Sequence, residues 1–204
     1  MPRAKVSRKS TAIDMTAMCD VAFLLLTFFI LSAKPKVEDP IHADIPASTT
    51  IQALPEVDFA QLLVAQGKVI FSVEGADVRL ETLKGMADQY KIDFTPEELK
   101  AFQGLDNVSV PIGVLKQYLN MTNQERAGVA KTGVQVDTTD NNELYWWVKN
   151  ARKADKLVHN KELKIAIKGD SKEEYPTIAK IIKTLQKQKV NKFGLITSLK
   201  AATK

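Results

Sequence analysis

At 204 residues, with 26% of them charged, the chain is long enough for one ordinary domain or for a small domain plus an anchor. Formal charge is +5; Arg3, Lys5, Arg8 and Lys9 against Asp14 and Asp20 give the first 33 residues +2 of it, leaving +3 scattered over the other 171. So dilute an excess gives no support for a nucleic-acid partner, which calls for a basic stripe or face, and the single cysteine, Cys19, excludes an internal disulfide framework and any multi-cysteine metal site.

Residues 1–12 read as a basic tail and 13–33 as a transmembrane helix. The uncharged run 21–33 (VAFLLLTFFILSA) is too short alone, since a helix rising 1.5 Å per residue needs about 20 residues to cross a core roughly 30 Å thick. Starting at Met15 makes the span long enough only if Asp20 enters the membrane zone. The competing reading is a cleaved signal peptide ending near Leu31-Ser32-Ala33. Four basic residues precede the span, while Glu38, Asp39 and Asp44 follow it, so the positive-inside bias directs the N-terminus to the cytoplasm.

Asp20 is singled out because a carboxylate at the centre of a lone lipid-facing helix costs about 2.5–3.5 kcal/mol, less near an interface. At about 100° per residue, Thr16 lies about 40° from Asp20 and Thr27 about 20° from it, whereas Phe28 and Phe29 fall away. One polar stripe on an apolar helix fits packing against protein or a water-filled path. A plainer reading leaves Asp20 as an interfacial residue marking the helix start. Burial raises a carboxyl pKa, so such a group could bind and release a proton near neutral pH.

Residues 34–60, with Pro35, Pro40, Pro46 and Pro55, read as an extended linker able to span at most about 90 Å at ~3.3 Å per residue. Within it, 41–45 has the composition of a short strand awaiting a pairing partner. An α+β domain is expected over 61–204, with a helical insertion at about 80–142. Residues 62–65 and 69–73 around Gln66-Gly67 form a hairpin. Helices follow near 79–90, 95–102 (Thr95 capping, Pro96 in the first turn) and 113–119. The polar stretch 120–142 reads as a loop. Leu144, Trp147, Val148 and Ala151 mark another helix, with Trp146 and Trp147 as rim and core. A strand at 163–167, a turn at Gly169-Asp170, a helix at 173–188 and a strand at 193–198 complete a strand–helix–strand unit with parallel neighbours. His42 and His159 stand far apart without ligand-like spacing and read as surface residues; no metal cluster, nucleotide loop or nucleophile–base pair appears, so no enzyme is expected. Asp170, Glu173 and Glu174 are explained by a turn and a helix N-terminus.

Two motifs carry a family resemblance. Asp14-Met15-Thr16-Ala17-Met18-Cys19-Asp20-Val21 with the Leu/Phe-rich run after it resembles the signature of the ExbD/TolR biopolymer-transport family, Ala17 standing where the family usually has proline. Asp44-Ile45-Pro46-Ala47-Ser48 is similar to the family's linker element. The resemblance is close over 13–48 and looser over the C-terminal strand–helix–strand. It implies that Asp20 is the ion-translocating carboxylate, with Thr16 and Thr27 as support on the same face and 44–48 as a partner motif. It also implies a homodimer in the bacterial inner membrane, inside a ring of ExbB/TolQ-like subunits, coupling proton-motive force to a TonB-like or TolA-like transducer. The proton is the expected coupling ion, with sodium left open, and no cofactor is implied. The alternative is a membrane-tethered periplasmic module with a passive anchor, holding peptidoglycan or another Tol-system component.

Overall fold

The computed structural model describes residues 15–33, 39–48, 57–137 and 142–199. The chain separates into two compact units, 1–38 and 39–204. The first contributes a single helix, α1 (Met15–Ser32), which continues unbroken through Asp20. The expected basic tail at 1–12, and 34–38 and 49–56 of the expected linker, lie outside the described residues.

The second unit is built on the apolar run before and after Gln66-Gly67. Strands β2 (Phe59–Ala65) and β3 (Lys68–Val73) pair antiparallel, preceded in the chain by a two-residue strand β1 (Ala47–Ser48). Gln66 and Gly67 both take positive φ, 55° and 70°, the geometry a two-residue hairpin turn needs to match strand twist. Four helices follow: α2 (Ala76–Tyr90), α3 (Pro96–Gln103), α4 (Ile112–Leu119) and α5 (Asn123–Gly128). Thr95 caps α3 as expected, its hydroxyl accepting from the Glu98 amide while Glu98 accepts from the Thr95 amide. Helix α5 corrects the reading of 120–142 as loop: Thr122 and Glu125 form a second reciprocal cap, and that Thr-x-x-Glu pattern was present in the sequence.

Next come α6 (Glu143–Val158), β4 (Lys164–Gly169), α7 (Tyr175–Lys187) and the short strands β5 (Gly194–Leu195) and β6 (Ser198–Leu199). The main sheet has the order β3-β2-β4-β5, with β2–β4 and β4–β5 parallel. The expected last strand is broken at Ile196-Thr197, and its end pairs instead with β1, in parallel.

Side-chain alternation along β2 sorts two clusters. Ala60, Leu62 and Val64 face the helices and join Phe71, Ile165, Ile167, Trp147 and Ile181 in the main core. Leu63 and Ala65 face the other way, where Ile70, Ile41 and half-buried Ala43 meet them. Trp147 is fully buried, stacked on Phe102 at 6.0 Å, while half-buried Trp146 lies under the Lys149 ammonium. Residues 39–48, part of the expected extended linker, pack on the folded unit through Ile41, and the short strand considered at 41–45 forms instead at Ala47–Ser48.

Gly133 marks the tightest approach in the unit. Its amide donates to Ser109 O at 2.8 Å, its φ is +77°, and a Cβ there would stand 2.6 Å from Val69 O. Gly133→Ala must displace backbone at the edge of β3 and should lower stability by about 1–3 kcal/mol; thermal melting of the full chain in detergent reads this as a lower midpoint than wild type.

Candidate functional site

Of the predicted functional residues, Asp20, Thr16 and Thr27 lie on α1. At 1.5 Å per residue its 18 residues extend about 27 Å, close to the thickness of a hydrocarbon core. Its mean hydropathy is 2.0, and none of its residues is buried in its own chain. Phe23, Leu26, Phe28, Phe29 and Ile30 are each more than half exposed. An apolar surface that continuous is unfavourable in water and is satisfied by lipid or by other apolar helices.

Asp20 is the one charged side chain of α1, about 8 Å along the axis from Met15. Its carboxylate makes no ion pair among the described residues. Thr27 turns its hydroxyl back onto the helix, donating to Leu24 O at 2.9 Å, so it needs no partner from outside. With Thr16 one turn before Asp20 and Thr27 two turns after, the three polar residues occupy a strip about 40° wide. A strip that narrow can face a polar path while the remaining circumference faces lipid.

The second predicted motif, 44–48, is held by main-chain and charged contacts. Asp44 O accepts from Ser171 N at 2.8 Å, Pro46 O from Ser198 N at 2.9 Å, and Ile45 O from the Ser198 hydroxyl at 3.1 Å. Ala47 and Ser48 pair with Ser198 and Leu199 as β1–β6. On the side chains, Lys172 Nζ donates to Asp44 Oδ2 at 2.7 Å and Lys168 pairs with Asp39. The Lys172 ammonium holds the Asp44 carboxyl below its ordinary value of 3.8, and Asp44 in turn raises Lys172 above 10.5. His42 Nε2 lies 3.4 Å from the same carboxylate.

One group among the described residues has the donor set of a metal site: Asp58, Asp155 and His159. Sequence reading placed His159 on the surface; its side chain is about one-third exposed, but its ring meets Asp58 and the fully buried Asp155. The i,i+4 spacing of Asp155 and His159 was a visible signal. Their conjunction with Asp58 depended on the fold.

The family profile described as Biopolymer transport protein ExbD/TolR matches residues 7–200, nearly the whole chain and including the helices read as an insertion. No curated protein and no solved structure matches the chain.

The Asp44–Lys172 pair generates a pH dependence whose sign is fixed. A lowered carboxyl pKa stabilises the docked segment above the ordinary value near 3.8, and that contribution fades as pH falls through the lowered value; the raised Lys172 contribution fades only above 10.5. Carbon-13 carboxyl titration of the full chain in detergent should place Asp44 below 3.8, with Lys172→Ala returning it toward that value and increasing hydrogen exchange at Ser171 and Ser198.

Proposed function

Because the chain belongs to the biopolymer transport protein ExbD/TolR family, a family of inner-membrane energy-coupling proteins that work with ExbB/TolQ and TonB/TolA partners, we propose that it is the ion-carrying, force-passing subunit of such a complex. Asp20 carries the coupling proton, and the folded unit delivers the resulting movement to a TonB-like transducer serving outer-membrane transport. The observation that carries this reading is the single carboxylate on an otherwise apolar, unburied helix of spanning length.

The physical chemistry runs from that side chain outward. In an apolar surrounding, a carboxyl favours its neutral form, and in a wet or polar one its charged form. A proton taken from the outer side lets Asp20 turn toward a dry neighbour; release to the inner side makes it seek water again. Moving one charge through about 100 mV supplies about 2.3 kcal/mol, enough to bias two helix orientations by nearly fiftyfold. Thr16 and Thr27 keep the same face compatible with water in the charged state. The helix sits N-terminus inward, as the basic residues before it direct, and residues from about 34 onward lie in the periplasm. There the segment 34–60 connects anchor and domain, and 44–48 meets the partner-facing part of the fold. A dimer places two copies of Asp20 within one ring of companion helices, so that each can alternate with the other.

Asp20→Asn keeps size and helix propensity but removes the titrating group. At wild-type expression it should abolish growth that depends on energised outer-membrane uptake, while the chain still co-purifies in mild detergent with a multi-helix companion. Intact-mass measurement of the chain from membranes should show residues 1–33 retained. Normal uptake with Asp20→Asn would leave α1 a passive anchor, and loss of the first 33 residues would make it a signal peptide.

A further inference from the structure

A separate polar cluster joins the start of β2 to the end of α6. Asp58 immediately precedes β2 with a left-handed φ of 56°, Asp155 stands in the last turn of α6, and His159 is that helix's C-cap. His159 Nδ1 lies 2.8 Å from Asp58 Oδ1 and 2.9 Å from Asp155 Oδ1. One donor atom from each of the three residues lies within 4.8 Å of the other two. Nδ1 bears at most one proton, so it can satisfy only one of the two oxygens it touches.

Asp155 carries the argument further. It is fully buried, 0% exposed, and its Oδ2 accepts no hydrogen bond among the described residues. A buried carboxylate oxygen without a donor is unfavourable and demands an explanation such as an ion. The position compounds the cost: the C-terminal turn of a helix carries partial negative charge, which repels an anion and favours a cation. Both effects ask for positive charge at the same point.

We propose that Asp58, Asp155 and His159 form a binding site for a divalent transition-metal cation, with zinc as the best fit. One imidazole nitrogen and two carboxylates are a donor set zinc accepts, leaving a fourth position for water. With bonds of about 2.0–2.2 Å, tetrahedral donors stand about 3.4 Å apart. The observed 2.8 and 2.9 Å therefore open by about half an ångström through side-chain rotation to admit the ion. Lys161 Nζ, on a side chain 63% exposed, occupies Asp58 Oδ2 at 2.8 Å and leaves Oδ1 directed at the imidazole. Its ammonium competes with a metal for the Asp58 charge. Bound zinc would tie the entry of β2 to the end of α6, reinforcing the link that His159 already makes to Asp58.

The test uses the full chain in detergent, stripped with chelator, titrated with zinc chloride by calorimetry and assayed for metal by mass spectrometry after gel filtration. About one zinc per chain is expected, with magnesium chloride giving no heat of binding. His159→Ala and Asp155→Asn should each weaken zinc by more than about a hundredfold, exceeding the roughly 10–100-fold loss typical of an outer-shell change. Lys161→Ala should tighten it, a gain that a misfolded variant could not mimic. His42→Ala should bind as wild type. No saturable zinc in the wild type overturns the proposal. So does undiminished affinity in both His159→Ala and Asp155→Asn, a failure of Lys161→Ala to tighten binding, or loss of the site in His42→Ala.

Discussion

Burial of β2 on both faces, with pairing along both edges, is the constraint that organises the folded unit. Leu62 and Val64 require a helical layer on one side, and Leu63 and Ala65 require cover on the other. A strand apolar on both faces cannot set its own register by hydrophobic alternation, because a slip of one residue still buries apolar side chains. Register must come from its ends. At one end the Gln66-Gly67 turn fixes β3 against it; at the other, the left-handed Asp58 breaks the strand, and its carbonyl accepts from Lys164 N at 2.9 Å to set β4. The segment 39–48 then has a physical reason to dock. Without Ile41, the patch of Leu63, Ala65 and Ile70 would meet water.

The hold on segment 39–48 is accordingly graded. Ile41 is held by apolar burial, Asp44 to Pro46 by main-chain hydrogen bonds, and Asp39 and Asp44 by lysines on and just after β4. Exposed ion pairs are individually weak and reversible, whereas β2 lies at the centre of the sheet. A pull along the chain from the N-terminal side meets the reversible contacts of 39–48 before it reaches β2. Under the proposed force-passing role, this order would let the segment release before the sheet is loaded.

Much of this was legible in the sequence where local chemistry and tertiary packing agree. The hairpin, the Thr95 cap, α6 with its buried Trp147 and the parallel β4–α7–β5 unit follow from alternation, capping residues and helical spacing. Asp20 stands out in the sequence for the opposite reason, as the one charge on an otherwise apolar helix. What escaped depended on context. Helix α5 has no buried residue, so no apolar periodicity announced it, and only its cap did. Proline content marked 39–48 as extended but could not reveal that one isoleucine anchors it. The break at Ile196-Thr197 reflects competition between β4 and β1 for the last strand, which no local propensity encodes. Asp58 reaches His159 only because β2 and β4 lie side by side.

Two buried carboxylates at opposite ends of α6 show how differently the fold treats the same group. Glu143, in the first turn, accepts from Ile112 N at 2.8 Å and Trp147 Nε1 at 3.0 Å, and stands where the helix dipole favours an anion. Burial still pushes its carboxyl pKa up, so even a well-supported carboxylate pays for leaving water. Asp155, in the last turn, has the dipole against it and an oxygen with no donor. The chain supplies N–H groups from Ile112, Trp147 and Gln135 to the end of α6 where the need is smaller and, for the Asp155 carboxylate, a shared imidazole where it is greater. An arrangement that leaves the less favourable end underserved is costly as protein alone and becomes reasonable when a cation completes it. Asp20 poses a related problem on α1: a lone carboxylate on an otherwise apolar helix, with no ion pair among the described residues.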